Sequence, residues 1–544
     1  MGEGLWLASA GEVAGNLEES EKLAQLTGDR FTTVADMDAV AIETLRQDVH
    51  AGRISIDRLV DLIASQQRMH QDVLRQLQAA KERYEELEKR LGGPPTTKLD
   101  EPYSMRSEEK REKARGKKPK AKSKKRRGRL RSKDKIAAAQ RTEAVYPEGV
   151  ARRECYLSHV RPVWRLEDRR AVLIAYEIYR GPNSKYGKIP GVLGRSEFGL
   201  EIVAEVAYLV YILGLSFDKA CATLGFLQNL ELKKSQANVL LCQLARHWER
   251  EFDVLCTLLA NSLVVHADET SWSLNSVWAF LSEQARVVLF GVHKDAETLR
   301  KILDSEVFAG LLISDDAAVY QNFSKAQKCW AHLLRKAIKL ALQDPKQAAY
   351  RTFTERLLEI YRKACRIQGD QRYSEAGRAE KVVLLDDEIW TLCGEISLAD
   401  TLPASELDHD FGLLVREVLR LMMARELFNF VAAPPVKQPN GTTKPVSGTN
   451  NEAERTLRGA AEARKTGRTN KTSAGARRQT IVTSVLESLR LYLKTFTLGS
   501  VLEEMKRWWT DGQSCFETLL KKRKLTLTST IDQIFPQPSP SPSG

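Results

Sequence analysis

Three periodic patterns of apolar and polar residues follow one another along the chain. In the first, at residues 56–91, apolar positions recur at alternating intervals of three and four, and Gln66 and His70 are polar members of the series. This heptad spacing predicts a coiled coil about five repeats long, because a seam of that period faces a partner helix. The largely charged or polar opposite face favours oligomerisation; the alternative is an amphipathic helix packed on its own domain.

The second pattern is helical. Residues 198–215 predict a largely buried helix, and residues 216–224 and 235–248 predict two amphipathic helices with a break at Gly225 and with Ser216 and Ser235 as N-caps. Two short helices joined in this way form either a DNA-reading helix-turn-helix or a plain helical hairpin. The second helix has few basic residues in its first turns, which weakens the DNA-reading alternative.

The third pattern is that of β-strands, followed by a return to helices. The predicted elements are strands at 262–267, 277–283, 286–293 and 310–314, with a helix at 295–304 before the last strand. The short link after residue 283 favours a hairpin. Helical spacing then covers 325–432, a flexible segment rich in Pro, Gly and Thr covers 432–449, and helices follow at 451–466 and 479–493.

Basic residues are concentrated in one segment. The 544-residue chain has a formal net charge of +13, and residues 106–135 hold 17 Lys/Arg against 4 Asp/Glu, which accounts for all of it. This density predicts a disordered linker that also contacts nucleic acid, since clustered Lys and Arg neutralise phosphates and release counterions. The predicted DNA contacts within it are Lys117, Lys118, Lys124, Lys125, Arg126 and Arg127.

Cysteine usage and hydropathy exclude several classes of protein. The eight cysteines include no C-x-x-C pair, so we expect neither a disulfide framework nor a four-cysteine zinc site, and a reducing cytoplasm fits. The longest apolar stretch, residues 206–215, is shorter than the roughly 18 residues that a membrane span needs. The amino terminus has no export-signal pattern, and we expect no membrane partner.

Three separated segments end or begin with an acidic residue. Asp268 ends one apolar strand, Asp315 ends another, and residues 450–455 open a helix that carries a third acid. Acids on rigid elements suggest a site for Mg²⁺, with Mn²⁺ as a substitute, because such ions take hard oxygen ligands. Any one of these acids taken alone is more simply explained as a turn residue.

Geometry favours one acid of each neighbouring pair. Asp315 and Asp316 are consecutive in an extended segment, so they point to opposite faces. Glu452 and Glu454 are about 200° apart around a helix, so only one can face the cluster. Glu454 shares its stripe with Leu457 and is expected to be the more buried, with Asn450 or Asn451 as the N-cap.

Four motifs occur in an order that resembles a known family, the bacterial DDE transposases of the insertion-sequence 66 group. They are His266-Ala267-Asp268-Glu269-Thr270, Ser314-Asp315 with Tyr320 five residues beyond the acid, Cys329-Trp330-Ala331-His332-Leu333-Leu334-Arg335, and Asn450-Asn451-Glu452-Ala453-Glu454-Arg455-Thr456-Leu457-Arg458. The resemblance covers about residues 185–495. Each motif is weak by itself, but four in order are specific.

The resemblance implies an RNase H-like catalytic core. In such a core the first acid is on the first strand, the second follows the fourth strand, and the third is on a later helix; a helical insertion between the last two is also similar to the family. The spacing to Tyr320 favours Asp315, and the family's Glu-Arg pair falls on Glu454. Family members often carry a Cys-rich zinc module after an amino-terminal zipper; here a basic run takes its place, which leaves the mode of DNA contact open.

Other residues near the acids have expected parts as well. Cys329 and His332 form a C-x-x-H set that is too small for a four-ligand zinc site, so a buried thiol and a hydrogen-bonded histidine are favoured, with His266 also structural. A second basic stretch lies beside the third acid, where substrate phosphates would approach. Its residues are Arg455, Arg458, Arg464, Lys465, Arg468, Lys471, Arg477 and Arg478, of which the first five are the predicted DNA contacts.

The predicted fold is multidomain, α and α/β: an RNase H-like catalytic core, a mixed sheet with flanking helices, with a large helical insertion, preceded by a helical region and an N-terminal coiled coil. The predicted domains are 1–35 (unassigned), 36–95 (helical, coiled coil, oligomerisation), 96–150 (basic disordered linker), 151–258 (helical, helix-turn-helix or hairpin), 259–324 with 446–498 (catalytic core), 325–445 (helical insertion), 499–535 (helical) and 536–544 (disordered).

The function implied is that of a DNA transposase, which cleaves insertion-sequence ends and joins the 3′-hydroxyl to target DNA by two-metal phosphodiester transfer. The expected partners are double-stranded DNA (transposon ends and target), a second copy of the chain through residues 56–91, and accessory proteins encoded by the element, in a nucleoid-associated setting. Two alternatives stay open: a catalytically inactive DNA-binding or scaffold protein, and an RNase H-like nuclease without strand transfer.

Overall fold

Helices surround two larger β-sheets in the part of the chain that the structure describes. A computed structural model describes residues 132–273, 275–398 and 405–536, without the side chains of residues 183, 394–398 and 509. The predicted coiled coil at 56–91, the predicted DNA contacts between Lys117 and Arg127 and most of the predicted tail lie outside these residues. Within them, no helix is both long and apolar enough to cross a membrane.

The elements alternate between strands and helices in the first half and are mainly helical in the second. In chain order they are α1 (Ser132–Ala137), β1 (Arg141–Val145), β2 (Tyr156–Glu167), β3 (Arg170–Arg180), α2 (Leu200–Ala207), α3 (Phe217–Gln228), α4 (Lys234–Ala260), β4 (Val264–Trp272), β5 (Asn275–Ser282), β6 (Arg286–Val292), α5 (Ala296–Ile302), β7 (Leu311–Ser314), β8 (Ala326–Lys328), α6 (Trp330–Gln343), α7 (Ala348–Gly369), α8 (Glu375–Leu398), α9 (Glu406–Met423), α10 (Asn429–Ala432), β9 (Val436–Lys437), β10 (Thr443–Lys444), α11 (Asn451–Lys465), α12 (Ser473–Tyr492), α13 (Leu498–Asp511), α14 (Cys515–Lys522) and α15 (Ile531–Ile534).

The central sheet has five strands in the order β6-β5-β4-β7-β8. β4 and β6 are antiparallel to β5, whereas β7 is parallel to both β4 and β8. The four predicted strands and the helix before the last of them are present, and the predicted hairpin joins β5 to β6. β8 was not predicted; because it pairs with β7, the sheet extends to Lys328, beyond the predicted start of the insertion at residue 325.

Different helices cover the two faces of this sheet. Val265 and Ala267 of β4 pack into a core with helices α2, α4 and α12. On the opposite face, Ala279 of β5 belongs to a smaller cluster with Leu457 of α11. Consecutive strand residues face opposite sides, and Asp268 is paired in register with Ala279, so Asp268 lies on the α11 face and Glu269 on the α4 and α12 face.

The edge strand β6 is covered by hydroxyl groups of α12. The backbone N–H groups of Arg286, Val288 and Phe290 donate to the hydroxyls of Ser488, Ser484 and Thr480, at 2.9, 2.9 and 3.0 Å. Every fourth helix residue advances about 6 Å and every second strand residue about 6.6 Å, so the two periods stay in step over three contacts. Alternate donors of an open sheet edge are therefore paired with side chains.

The amino-terminal part of the described chain departs from the prediction. The segment from residue 151 was expected to be helical, but β2 and β3 form a hairpin within a three-stranded sheet of order β1-β3-β2. Residues 132–145, assigned to the disordered linker, form α1 and β1. Lys135 of α1 is held by an ion pair with Glu197 at 2.5 Å.

Two helix boundaries also differ. Ser216 caps α3 as predicted, because its hydroxyl accepts from the Lys219 N–H at 3.2 Å. Gly225 does not break this helix, which continues to Gln228 and ends at Asn229 in the left-handed conformation. Ser235 is not an N-cap, since α4 starts at Lys234 and extends to Ala260. The carboxyl-terminal half of α4 is buried in the main core.

The segment predicted to be a helical insertion is mainly helical. Helices α6 to α10 enclose a second core of aromatic and aliphatic side chains, which includes Trp330, Phe353 and Phe430 and reaches the sheet through Leu311 and Ile313. The connection back to the third acid contains the short β9–β10 hairpin. Helices α13 to α15 contribute Val501, Phe516 and Ile531 to the core against α4 and α12, at the end of the chain predicted to be helical.

Candidate active site

Asp268 and Asp315 are brought together by two neighbouring parallel strands. The register of β4 and β7 pairs Val264 with Leu311 and His266 with Ile313. Continued by two residues, the same register sets Asp268 beside Asp315. Residues in register on adjacent parallel strands share a face and are about 4.8 Å apart, so both acids lie on the face that α11 covers.

The start of α11 is bonded to the backbone next to Asp268. Asn450 is the N-cap residue, one of the two predicted, but its side chain forms no bond within its own helix. The amide instead donates to the carbonyl of Ala267 at 2.7 Å. The helix that carries Glu454 is therefore attached one residue before the first acid.

A similar contact attaches the second acid. The Cys329 N–H donates to the carbonyl of Ser314, the residue before Asp315, at 2.9 Å, and the Cys329 Sγ accepts from the Asn450 N–H at 3.1 Å. Cys329 and Asn450 thus join β4, β7, α6 and α11 at one place. Each of the three acids predicted from the sequence lies within four residues of this junction.

The electrostatics of Asp268 reflect this convergence. Burial and, after it, the negative charges of Glu269, Asp315 and Glu454 together raise its pKa from 3.8 to about 7. Like charges close together favour the protonated form. The geometry therefore concentrates negative charge at Asp268, in a place where only a proton or a cation can balance it.

Asp316 and Glu452, the two acids not assigned to the metal site, form ion pairs with other parts of the chain. Asp316 forms an ion pair with Arg420 of the insertion and lies 4.0 Å from Lys328 Nζ. Glu452 pairs with Arg286 at 2.6 Å. Glu452 is also the more exposed of the two helix acids, with 44% of its side chain accessible against 23% for Glu454. By contrast, Asp268 and Asp315 form no ion pair within the described residues.

A second set of contacts at the site was not anticipated. The Glu269 side chain is 2% exposed, accepts from the Tyr320 hydroxyl, and pairs with Lys294 Nζ at 2.5 Å. The hydrogen bond to Glu269 is the largest cause of the raised pKa of Lys294. The negative charges of Asp315 and Asp268 raise this pKa further. Tyr320 and Glu269 stand in the quoted motifs, but no sequence pattern pointed to Lys294, which lies in the short link between β6 and α5.

Glu454 has neighbours from α6. Its Oε1 lies 2.5 Å from Arg335 Nη2 and 3.7 Å from His332 Nε2. The donor atoms of Cys329, His332 and Glu454 all lie within 4.8 Å of one another, close enough to hold a metal ion. The predicted C-x-x-H set thus gains a third potential ligand. Cys329 is buried as expected, whereas His332 is half-exposed and its Nδ1 has no hydrogen-bond partner among the described residues.

The segment that contains all of these residues matches one family. A family model described as Transposase IS66 family covers residues 195–478, more than half of the chain. The chain belongs to this family. No curated protein matches the chain.

The basic residues of the transposase near the third acid fall into two groups. Arg455, Arg458 and Lys465 are exposed on α11. Arg464 and Arg468 donate to the backbone carbonyls of Ser271 and Gly214 at 3.1 and 2.5 Å, so part of their bonding is internal.

Two other basic residues of this stretch, which were not among the predicted DNA contacts, are bonded within the fold. Arg477 of the transposase is buried and pairs with Glu249 and Asp532, at 3.2 and 2.9 Å. Arg478 donates to the hydroxyl of Tyr211 at 2.6 Å. Both side chains contribute to the packing of α12 against its neighbours. A run of basic residues in a sequence does not show which side of a helix is covered.

His266 of the transposase is a half-buried residue of β4, two positions before Asp268. Burial lowers its pKa, although the Asn450 side chain and the charge of Glu452 act in the opposite direction. Its Nδ1 atom is buried without a hydrogen-bond partner within the described chain.

Proposed function

We propose that this transposase cleaves the ends of its insertion sequence and joins the 3′-hydroxyl to target DNA by metal-dependent phosphodiester transfer. Asp268, Asp315 and Glu454 would be the metal ligands and catalytic residues. The observation that carries the proposal is the pair Asp268 and Asp315, which share a face without an ion-pair partner in the described chain while the acids beside them have one.

These residues fit Mg²⁺ or Mn²⁺. The three carboxylates are hard oxygen donors on a strand, a strand end and a helix, and their mutual repulsion is relieved by a divalent cation. Two bound ions would supply Lewis-acid activation of the attacking oxygen and stabilise the leaving oxygen. The raised pKa of Asp268 means that a cation competes with a proton for this carboxylate.

The chain's own basic residues would bind and orient the DNA. Lys294 is 54% exposed beside Glu269 and within electrostatic range of Asp268 and Asp315. Arg455 and Arg458 project from the α11 turn that carries Glu454. Cations next to a cluster of acids offset its repulsion of the phosphate backbone and bring the scissile group toward the metal ligands.

The sheet supports the RNase H-like core that the resemblance implies. Three antiparallel strands followed by two parallel ones, with the first acid on the central strand β4 and the second after its neighbour β7, agree with the expected positions. Since β8 belongs to the sheet, we propose a core of 259–328 with 446–498 and an insertion of 329–445. Double-stranded DNA contact by 106–131 and oligomerisation through 56–91 remain proposals from the sequence.

A contrast between neighbouring acids tests the assignment. Asp268→Asn, Asp315→Asn and Glu454→Gln preserve shape but remove ligand charge, so each should reduce Mg²⁺-dependent cleavage and joining of element-end DNA at least about a hundredfold, since metal ions supply several kcal/mol of transition-state stabilisation. DNA binding, measured in parallel, should survive in all three.

The matched controls are Asp316→Asn and Glu452→Gln, which change the same groups one or two residues away. Both should keep substantial activity, because their ion pairs turn them from the cluster. Loss of activity in Glu452→Gln with an active Glu454→Gln would reverse the helix-face assignment and leave the transposase function in place. Five active variants would remove the metal site itself.

A further inference from the structure

A second group of potential metal ligands lies beside the proposed Mg²⁺ site. It consists of Cys329 and His332 at the start of α6 and Glu454 of α11, whose donor atoms are all within 4.8 Å of one another. In a tetrahedral zinc site with bonds of about 2.0 to 2.3 Å, neighbouring donors are about 3.3 to 3.8 Å apart. The separation between His332 Nε2 and Glu454 Oε1 is 3.7 Å, which already meets this requirement.

The surroundings of the two α6 donors suit a metal. Cys329 Sγ is buried, which raises the pKa of the thiol, and it accepts the N–H of Asn450 at 3.1 Å, a contact that acts in the opposite direction. The Nδ1 atom of His332 is buried and has no partner among the described residues.

We propose that Cys329, His332 and Glu454 form a site for a thiophilic divalent cation of the Zn²⁺ class. Its sulfur and nitrogen donors distinguish it from the all-oxygen set that Mg²⁺ prefers. On binding, the Cys329 S–H bond breaks, the sulfur–metal bond forms, and one proton is released to solvent. Three protein ligands leave a fourth position for water.

The two sites share Glu454, and this gives the second site a regulatory consequence. A cation bound to Cys329 and His332 takes the Glu454 carboxylate, so it removes the third acid from Asp268 and Asp315. Zn²⁺ is therefore an inhibitor of the Mg²⁺-dependent reaction. This consequence rests on the proposed function, whereas binding of the cation does not.

Arg335 competes with this cation for the Glu454 carboxylate. Its guanidinium lies 2.5 Å from Glu454 Oε1, and its side chain is 55% exposed. A positive charge at that distance repels a second cation and occupies one carboxylate oxygen. Removal of the charge in Arg335→Gln should therefore tighten binding of the metal.

The test uses the full-length chain, stripped of metals with EDTA, and Co²⁺ as the probe. Co²⁺ bound to a thiolate has a charge-transfer absorption that oxygen ligands do not produce. We expect this absorption to saturate at one ion per chain, to be lost in Cys329→Ala, and to be displaced by Zn²⁺. Cys365→Ala, which removes an exposed thiol elsewhere, should bind as the parent does.

Two further variants keep the test decisive if Cys329→Ala does not fold. His332→Ala retains the thiol and should weaken Co²⁺ at least about tenfold, since even outer-shell changes have effects of that size. Arg335→Gln should strengthen it. No thiolate band in the parent chain, or an unchanged band in Cys329→Ala, would overturn the site; unchanged affinity in His332→Ala would remove the histidine from it.

A cleavage assay distinguishes failure of the metal site from failure of the proposed function. In cleavage assays with excess Mg²⁺, added Zn²⁺ should inhibit the parent protein and inhibit Cys329→Ala at least about tenfold less. Equal inhibition of both would refute the regulatory consequence. If the parent has no cleavage activity, the proposed function fails and the Co²⁺ titration still decides the metal site.

Discussion

The surroundings of Asp268 favour the binding of a cation. Its neighbours Glu269 and Glu454 are each paired with a basic side chain, at 2.5 Å in both cases, but Asp268 has no such partner in the described chain. Burial and the adjacent negative charges raise its pKa to about 7. In the absence of a cation, the folded protein therefore holds a proton that the unfolded chain has already lost at pH 5.

This difference predicts a pH-dependent stability. The Asp268 pKa is about 7 in the folded protein and 3.8 in the unfolded chain, so the free energy of unfolding falls as pH rises from about 4 to about 7 and stays low above it. Asp268→Asn removes the effect. In EDTA, the variant should match the parent at pH 4 and be more stable by about 1–4 kcal/mol at pH 8, with the upper value discounted for partial exposure.

Urea unfolding at the two pH values measures this difference. Mg²⁺ at pH 8 should stabilise the parent protein and not Asp268→Asn, because the cation replaces the proton as the balancing charge. A stability difference of the same size at pH 4 and pH 8 would contradict the charged-cluster explanation. It would instead assign the effect of the substitution to packing.

At the scale of single elements, hydroxyl groups of α12 pair with the edge strand β6 of the central sheet. Ser484 and Ser488 are buried, and each accepts the N–H of one β6 residue. Thr483, next to Ser484 on the same helix, is also buried, but its hydroxyl has no partner in the described structure. These two adjacent buried hydroxyls of α12 therefore differ in whether they bond to the sheet.

This contrast predicts opposite effects of two similar substitutions. Ser484→Ala leaves the Val288 N–H buried without an acceptor and should lower the free energy of unfolding by about 1–3 kcal/mol. Thr483→Val removes an unpaired hydroxyl at nearly constant volume, so it should be neutral or stabilising. Denaturant unfolding of both variants is the measurement. Equal losses would mean that packing, and not the bond to β6, sets the stability here.

The sequence predicted the elements whose signal is local. β4 and β7 each contain an apolar run followed by a carboxylate, and this pattern predicted Asp268 and Asp315. The predicted strand end at residue 267 was wrong, because β4 continues past Asp268 to Trp272. β8 has only three residues, too few for a period. β2 begins with four exposed residues, so it has no apolar alternation for a strand prediction to use.

Other features depend on contacts between distant parts of the chain. Lys294 and Glu269 are 25 residues apart, and nothing in a turn lysine indicates which carboxylate it will meet. Arg477 belongs to a basic run but is covered by α4 and α15 residues. The approach of Glu454 to Cys329 and His332 arises from two helix starts joined through Asn450, which no spacing along the chain encodes.

At the scale of the whole molecule, the sheet, the insertion and α11 form one continuous unit around the acids, and the basic segment precedes it. The described chain begins with α1 at Ser132, and Lys135 of this helix is bonded to Glu197. The rest of the basic segment that is predicted to contact DNA, residues 106–131, holds 15 Lys/Arg and 3 Asp/Glu. Lys133 and Lys135 belong to the folded helix α1.

Replacement of residues 106–131 by a Gly/Ser segment of equal length should weaken DNA binding broadly. Each lost phosphate contact reduces the slope of log affinity against log salt by about 0.9. The measurement is the affinity for element-end DNA and for an unrelated duplex from low to high salt. Both affinities should be lower for the variant than for the parent protein. Parallel salt slopes for parent and variant would exclude the segment from DNA contact.

The hydroxyl ladder between α12 and β6 also has a consequence for how the chain is made. Arg286 and its acceptor Ser488 are 202 residues apart, and ribosomes add about 5 to 20 residues per second. The edge of the sheet is therefore synthesised roughly 10 to 40 seconds before the helix that shields it. During that interval the nascent strand presents unpaired donors to any other strand. Chains truncated before residue 473 should consequently aggregate more than the full-length chain, which sedimentation of the two translation products would measure.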